Sequence, residues 1–531
     1  MRSFSDSRFG LFANINGVTK YIDSNNVEKI KVFRRMLEEG PEIFVFQAEV
    51  INESKEEVKI NSIMVSEFLM DGKVESVLEN GWGQSSFSGY RNKILRTKKN
   101  KFFLKRDQNP NSFLDDYGYM KNAMVNEWFT EVVFSDENVV IGAVTSADQF
   151  SQIYLRQEKE KLRVRVTCQL DGLILKPGEK VASEKIAFIK GRGLRENLDE
   201  YADLIVKYSE IKKTKSPPVG LCCAYYYQGN TVSEVYLQNQ LKALSIFPKK
   251  SNLKYIQIDA GYCVWGDWLE INDSFPSGFE SVVKEIEKAG LKAGIWLAPY
   301  VANSKSKIFA QHPEWFLKDK NGKYLEGRQS SPVDFMTSLS LRVLDPTHPE
   351  VQKYINKVIK LFIDWGFEML KIDFTYPVCF SSSYYVPMTR AQALRTGYMT
   401  IRKAAGEDIH ILSAITQLSP LVGVVDSARV GIDTINPYVS GLPVIGKLVN
   451  NFMFKESLRN SSSRIFLNGK VWVNDADCYV GRKGTGLTEN QSSQLFDFIK
   501  ASGGSVWIGD SFKNMTKATL DRYIDLLRKK D

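Results

Sequence analysis

Residues 349–374 read PEVQKYINKVIKLFIDWGFEMLKIDF. From Pro349 to Trp365 the apolar positions Val351, Tyr354, Ile355, Val358 and Phe362 recur at helical spacing, and Gly366 stops the pattern. Phe367-Glu368-Met369-Leu370 then enters a short apolar strand that ends in Lys371-Ile372-Asp373-Phe374. Residues two apart on a strand share a face, so Lys371 and Asp373 point together. In a barrel of parallel strands the C-terminal strand ends carry the chemistry, which makes Asp373 a candidate nucleophile held ionised by a neighbouring ammonium. The plainer reading is a structural ion pair at a strand end, and these four residues alone weigh the two evenly.

The same helix-then-strand texture recurs along the chain after Lys215-Ser216-Pro217-Pro218. Eight candidate strands follow: Val219 to Tyr226, Leu253 to Ile258, Lys292 to Ala298, Met369 to Phe374, Ile409 to Ala414, Ser427 to Ile432, Val471 to Asn474 and Ser505 to Ile508. Helical faces separate them, among them Phe279, Val282, Val283 and Ile286 before Gly290, and Leu495, Phe496, Phe498 and Ile499 before Gly503. Eight such alternations over about 250 to 310 residues predict an α/β fold of the closed (β/α)8 TIM barrel type. Upstream the pattern differs. Short alternating runs such as Ile43 to Val50, Val132-Val133-Phe134 and Leu162 to Val166, broken by Gly, Asn and Asp, predict an N-terminal all-β sandwich. The expected organisation is a sandwich over 1–193, a helical linker over 194–216 and a catalytic barrel over 217–531. No separate C-terminal β-domain is expected after the helix Thr516 to Arg528.

Composition narrows the function classes. The 531 residues are 43% hydrophobic and 12% aromatic, as in ordinary globular proteins, and the formal charge of +9 comes from 71 basic and 62 acidic residues spread along the chain. Short clusters such as Lys98-Lys99-Asn100-Lys101 read as solvated surface, so no nucleic-acid partner is expected. No run of eighteen apolar residues and no leader-like stretch after Met1 occur, from which a cytoplasmic protein without a membrane partner is expected. Cys168, Cys222, Cys223, Cys263, Cys379 and Cys478 show no paired framework and no C-x-x-C, so neither disulfides nor a metal site is expected. No glycine-rich fingerprint follows a candidate strand, and no cofactor is expected. With only His312, His348 and His410 available, acid/base work falls to carboxylates.

Polar residues gather at the strand ends. The second strand finishes Gln257-Ile258-Asp259-Ala260 and its loop carries Trp265-Gly266-Asp267-Trp268; the third carries Trp296; the sixth gives Arg429-Val430-Gly431-Ile432-Asp433; the seventh gives Asn474-Asp475-Ala476-Asp477. Aromatic faces and carboxylates converging at one barrel end suit a sugar, whose apolar face stacks on rings while Asp, Lys and Arg take the hydroxyls. Two carboxyl groups flanking a glycosidic bond supply hydrolysis, retaining at about 5 to 5.5 Å apart and inverting at about 6.5 Å or more.

Tyr255 to Tyr262, Gly266-Asp267-Trp268, Phe275 to Gly278, Gly294 to Pro299, His312 to Trp315, Leu344 to Pro349, Lys371 to Phe374, Arg429 to Thr434 and Asn474 to Cys478, in that order, resemble glycoside hydrolase family 36. This is the α-galactosidase family of the retaining clan shared with family 27. Asn80-Gly81-Trp82 resembles a family loop that reaches the barrel mouth from the first domain. The resemblance implies Asp373 as nucleophile and Asp433 as acid/base, with Lys371, Arg429, Asp259, Asp267 and Trp268 as substrate ligands, Trp296 as a wall and Trp82 as a lid. Plainer readings put Trp296 in the barrel core, Trp82 in the sandwich core and Arg429 as a structural partner of Asp433. The resemblance further implies an oligosaccharide or α-galactoside substrate, and is compatible with a homo-oligomer. Lys371 is expected to lower the pKa of Asp373, while burial and the charge opposite keep Asp433 protonated.

Two departures keep the sugar open. Asp259-Ala260 stands where many members carry paired aspartates, and Gly220-Leu221-Cys222-Cys223-Ala224 before Tyr225-Tyr226-Tyr227 replaces a tryptophan-bearing first strand. Ser413-Ala414 offers small side chains near where relatives sort 2-hydroxyl from 2-acetamido sugars. An α-N-acetylgalactosaminidase, a transglycosylase resembling the raffinose synthases and a non-catalytic sugar-binding protein are the alternatives.

Overall fold

The computed structural model describes residues 8–15, 18–23, 30–94, 123–191, 193–212, 214–223, 232–247, 251–327, 340–381 and 383–528. Tyr225, Tyr226 and Tyr227 and the cluster at Lys98 lie outside the described residues.

Among the described residues up to 190, the strands form two antiparallel sheets, one of six strands and one of eight. The alternation in Ile43–Asn52 buries Phe46, Ala48 and Val50 on one face, as a strand with one face on a core must, and Val45 is buried on the other. Two long strands, Val58–Asp71 and Lys161–Leu175, run antiparallel through the centre of the six-stranded sheet. Phe46 and Phe68 of the two sheets meet edge-on at Phe188, with ring centroids 5.7 and 5.5 Å apart. This is the expected sandwich.

The helix Leu194–Tyr208 lies between the sandwich and the rest. On the sandwich side the Tyr201 hydroxyl donates to the Ala143 carbonyl at 2.6 Å; on the other side its ring lies 6.2 Å from that of Phe466. Trp128 and Trp472 meet across the same seam at 5.7 Å.

The barrel strands are Val219–Cys222, Tyr255–Ile258, Lys292–Leu297, Met369–Ile372, His410–Ser413, Ser427–Arg429, Val473–Asp475 continued by Cys478–Tyr479, and Val506–Ile508. All pair in parallel in chain order, and the eighth pairs back onto the first through Val219 and Val506. The seventh strand closes the ring in two halves. Val473–Asp475 pairs with strand six and Cys478–Tyr479 with strand eight, and the break falls at Asp477, whose φ is 75°. Strands two to eight sit where the sequence puts them, with ends that differ by one to three residues, and the expected continuation of strand one beyond Cys223 lies outside the described residues.

The helix before strand four runs Pro349–Asp364. His348 caps it, its Nδ1 accepting from the Glu350 amide at 3.2 Å, with Pro349 at the first helical position. Val351, Ile355, Val358, Ile359 and Phe362 are fully buried, each stabilising the fold by about 1.5–3 kcal/mol. Tyr354 is half-buried, and its hydroxyl donates to the Gly266 carbonyl and accepts from the Trp268 amide. Gly366 ends the helix at φ 96°. Among the described residues no helix is long and apolar enough to cross a membrane.

Candidate active site

Strand register puts Trp296 beside Lys371 on strands three and four, and Arg429 beside Asp475 on strands six and seven. Asp373 follows strand four, with its amide donating to the Leu297 carbonyl at 2.9 Å. Phe374 then turns into the left-handed region at φ 51°, and its amide donates to Asp373 Oδ1 at 2.7 Å. Trp296 Nε1 donates to Oδ2 at 2.9 Å, so each carboxyl oxygen is fixed by one N–H donor.

Lys371 is not the direct partner of Asp373. Its ammonium donates to Asp259 Oδ2 at 3.0 Å, and that carboxylate also accepts from Gln257 Nε2 and the Ala260 amide, both at 2.9 Å. Burial acts to raise the Asp259 pKa, but Lys371, Gln257 and Ala260 outweigh it and hold the carboxyl below its usual range. Burial likewise acts to lower the Lys371 pKa, and Asp259 reverses this, leaving it well above the ordinary lysine value. The pair is therefore ionised. Asp373 departs from the expectation that Lys371 lowers its pKa. Burial raises it, and Lys371, Trp296 and the Phe374 amide only oppose the rise. The physical reason is that the ammonium gives its direct bond to Asp259 and acts on Asp373 through space.

Arg429 holds three carboxylates. Its Nη1 lies 3.0 Å from Asp433 Oδ1, its Nε 3.3 Å from Asp475 Oδ2 and its Nη2 2.7 Å from Asp477 Oδ1. Asp475 and Asp477 are fully buried; Asp477 Oδ2 accepts from the Thr434 amide at 2.7 Å, and Asp475 Oδ1 from the Asp477 amide at 2.8 Å. Asp433 is crowded by protein yet keeps 43% of its side chain exposed. Burial and then the neighbouring charge of Asp477 push its pKa up to about 6 against the pull of Arg429, and Asp373 adds to the rise. One carboxyl is thus clamped by N–H donors, and a second is open and titrates within the range of a proton donor.

Other site residues fall in different places. Trp296 is 2% exposed, its indole N–H turned to Asp373 and its ring packed on Trp265 at 4.9 Å and Trp268 at 6.1 Å. Trp268 has no exposed surface and packs against Tyr262, so it backs Trp296 instead of facing a substrate. Asp267 accepts from the amides of Lys307 and Ile308 at 2.9 and 3.0 Å. That is the work of a cap on the short helix Lys307–Gln311, not of a sugar ligand. Trp82 is 8% exposed in the seam between sandwich and barrel, edge-on to Phe150 at 5.6 Å. Sequence reasoning assigned no part to Gln257, Asp475 or Asp477. Their signals were present: Gln257 stands two residues before Asp259, and Asp475 and Asp477 flank one residue at the end of strand seven.

Residues 258–399 match the melibiase family. The chain is 30% identical over 70 residues to α-galactosidase AgaA of Geobacillus stearothermophilus, a match covering 13% of this chain and 10% of that protein. It thus spans about a tenth of the length of that curated relative. The structure of TtGalA, an α-galactosidase from Thermus thermophilus in complex with p-nitrophenyl α-D-galactopyranoside, superposes with a TM-score of 0.68 at 19% identity, covering 98% of this chain and 95% of that one. The structure of the family 36 α-galactosidase AgaA superposes with a TM-score of 0.61 at 13% identity, covering 98% of this chain and 72% of that one. The chain is thus similar to the melibiase family through residues 258–399, and it shares its fold with the glycoside hydrolase family 36 α-galactosidase AgaA.

Proposed function

We propose that this protein is a retaining, exo-acting α-galactosidase that removes terminal α-D-galactosyl residues by double displacement. The observation that carries the reading is the pair of unlike carboxyl groups. Asp373 is aimed by Trp296 and the Phe374 amide, and Asp433 is partly exposed with its pKa pushed up to about 6. The similarity to AgaA and TtGalA supports it.

In the first step an Asp373 oxygen forms a bond to the anomeric carbon while the glycosidic bond breaks. Asp433 gives its proton to the departing oxygen, so the leaving group departs as a neutral alcohol. Loss of the negative charge on Asp373 removes one cause of the raised Asp433 pKa, and Asp433 becomes the easier group to keep deprotonated. In the second step Asp433 takes a proton from water, the water oxygen bonds to the anomeric carbon and Asp373 leaves as carboxylate. The Lys371–Asp259 pair and Arg429 supply the charged hydrogen-bond partners for the sugar hydroxyls, and Trp265, half-buried beside Trp296, offers a ring face.

The test is a panel of aryl α-glycosides (galactoside, N-acetylgalactosaminide, glucoside, xyloside) with the anomer released followed by NMR. The expected result is galactoside hydrolysis with α-galactose formed first, and loss of activity in Asp373→Gly that azide restores. A β-anomer formed first, or activity surviving in Asp373→Gly without azide, sinks the retaining mechanism with Asp373 as nucleophile. Preference for the N-acetylgalactosaminide moves the substrate, not the reaction.

A further inference from the structure

Asp433 stands four residues beyond the last ladder position of strand six, and the backbone that carries it is held on both sides. Ahead of it, the consecutive carbonyls of Val430 and Gly431 each accept a buried hydrogen bond, from Arg464 Nη1 at 2.7 Å and from Gln84 Nε2 at 2.6 Å. Behind it, the Thr434 amide donates to Asp477 Oδ2 at 2.7 Å and the Thr434 hydroxyl donates to the Cys478 carbonyl at 3.0 Å. The helix Pro443–Ser463 presses on a third side. A Cβ on Gly431 would stand 2.6 Å from Ser461 Oγ and 2.9 Å from the Ser457 carbonyl oxygen, so a side chain there forces the end of strand six and the helix apart.

Of these anchors Gln84 comes from the sandwich, from the loop between strands Ser76–Asn80 and Ser88–Arg91. It is 1% exposed, and its backbone is fixed before its side chain is used. Its amide donates to the Thr416 carbonyl at 2.9 Å, and its carbonyl accepts from Arg464 Nη1 at 2.9 Å. From this fixed base the Nε2 donor reaches across the seam to strand six, and a buried carbonyl that loses such a donor stays unpaired. Gln84 is neutral, so it acts on Asp433 through the placement of the backbone and not through charge. Packing leaves the Asp433 side chain 43% exposed with Arg429 Nη1 at 3.0 Å, which makes the backbone the chief constraint on where the carboxyl sits. A general acid must come within about 2.6–3.2 Å of the oxygen it protonates, and a misplacement of about 1 Å costs about 10²-fold in rate.

We propose that Gln84 is a positioning residue for the acid/base: by holding the Gly431 carbonyl, the sandwich sets where the Asp433 carboxyl meets the glycosidic oxygen, a role that rests on the glycosidase reading. Loss of this bond lets residues 431–433 shift and admits water to Asp433. The step that suffers is transfer of the Asp433 proton to the departing oxygen as its bond to the anomeric carbon breaks. Attack by Asp373, held by Trp296 and the Phe374 amide, is untouched.

The test measures kcat/KM on p-nitrophenyl, phenyl and p-methoxyphenyl α-galactosides, whose leaving groups are similar in size, grow poorer in that order and need the acid more. Gln84→Leu keeps the side-chain size and removes the donor, and is expected to lower kcat/KM about tenfold more for the p-methoxyphenyl than for the p-nitrophenyl substrate. Gly431→Ala, which displaces the same residue from the helix side, is expected to steepen the leaving-group dependence likewise and stands in if Gln84→Leu does not fold. Ser146→Ala removes another bond across the seam, from the Ser146 hydroxyl to the Ser419 carbonyl, and is expected to keep the wild-type dependence. Independently of turnover, the carboxyl ¹³C signal of Asp433, identified by its loss in Asp433→Asn, is titrated in each protein. Its midpoint is expected to move down from about 6 toward the ordinary carboxylate range in Gln84→Leu and Gly431→Ala, as water reaches the carboxyl. A leaving-group dependence that stays at wild type in both variants, or that steepens equally in Ser146→Ala, overturns the positioning role. Wild type that cleaves none of the three galactosides overturns the glycosidase reading, and the titration then decides the anchor: a midpoint that moves supports it and one that stays in place refutes it.

Discussion

Asp433 draws its raised pKa first from burial and then from Asp477, while Arg429 pulls it down, and this balance fixes the pH dependence of the proposed reaction. The acid must be protonated, so activity is present below about 6 and falls as pH rises through that value. Asp373 must be ionised, and because burial raises its pKa the acidic limb lies above the ordinary carboxylate range, giving a narrow bell in kcat/KM. Asp477→Asn removes a like charge and frees Arg429 to act on Asp433, so the alkaline limb moves to lower pH. A pH–rate profile in which that limb stays in place refutes this account of Asp433. Lys371 supports a second residue-scale prediction, since it and Asp259 are both buried and directly bonded at 3.0 Å. Lys371→Met strands a buried carboxylate and costs about 3–5 kcal/mol in urea unfolding, and adding Asp259→Asn recovers part of it. Full additivity of the two losses contradicts a direct pair.

At the scale of the element, three barrel strands end in a non-glycine residue with positive φ: Phe374 at 51°, Ile415 at 37° and Asp477 at 75°. Each lies within three residues of the last ladder position, where the chain must turn sharply to aim Asp373, to reach the Gln84 loop, or to offer Asp477 to Arg429. Left-handed backbone is strained for an L-residue, most of all for a β-branched one, at about 1–3 kcal/mol. Ile415→Gly is therefore expected to cost less than about 1 kcal/mol, because relief of strain offsets lost burial, whereas Ile411→Gly, fully buried in mid-strand, costs about 3 kcal/mol or more. Equal losses in thermal unfolding deny that Ile415 is strained. The same strand ends show what the sequence can disclose. Short apolar runs, helical stripes and Gly366 mark the eight strands, and Trp296 near the end of strand three together with Asp259, Asp373 and Asp433 just past strands two, four and six collect at one barrel end because all strands run parallel. Which charges bond is a different matter. The spacing of Lys371 and Asp373 tells that they share a face, but not that the lysine reaches across to strand two. Gly266-Asp267-Trp268 reads as a site motif, yet a cap and a core tryptophan use the same residue types, and only burial and the amides of Lys307 and Ile308 separate them.

For the whole molecule, one side chain is a main tie between the sandwich loop and the barrel. Arg464, fully buried just beyond the helix Pro443–Ser463, donates from Nε and Nη2 to Asn80 Oδ1 at 3.1 and 2.9 Å. It also donates to the carbonyls of Gln84 at 2.9 Å, Gly83 at 3.2 Å and Val430 at 2.7 Å, the last adjoining Arg429. Its acceptors are neutral, and the fork of guanidinium donors lets one residue tie the Trp82 loop to the end of strand six. Arg464→Met has similar reach but no donors, and leaves these buried acceptors unpaired at a cost of about 3 kcal/mol or more. The loss is local to the seam, so the loop at Trp82 loosens before the barrel core does. Hydrogen exchange in Arg464→Met is expected to rise at residues 80–86 while strand four at Met369–Ile372 keeps its protection. Arg464→Lys restores one or two of the bonds and falls between. Uniform loss of protection in both segments assigns Arg464 to the stability of the whole fold, whereas loss confined to residues 80–86 makes that loop separately releasable from the barrel.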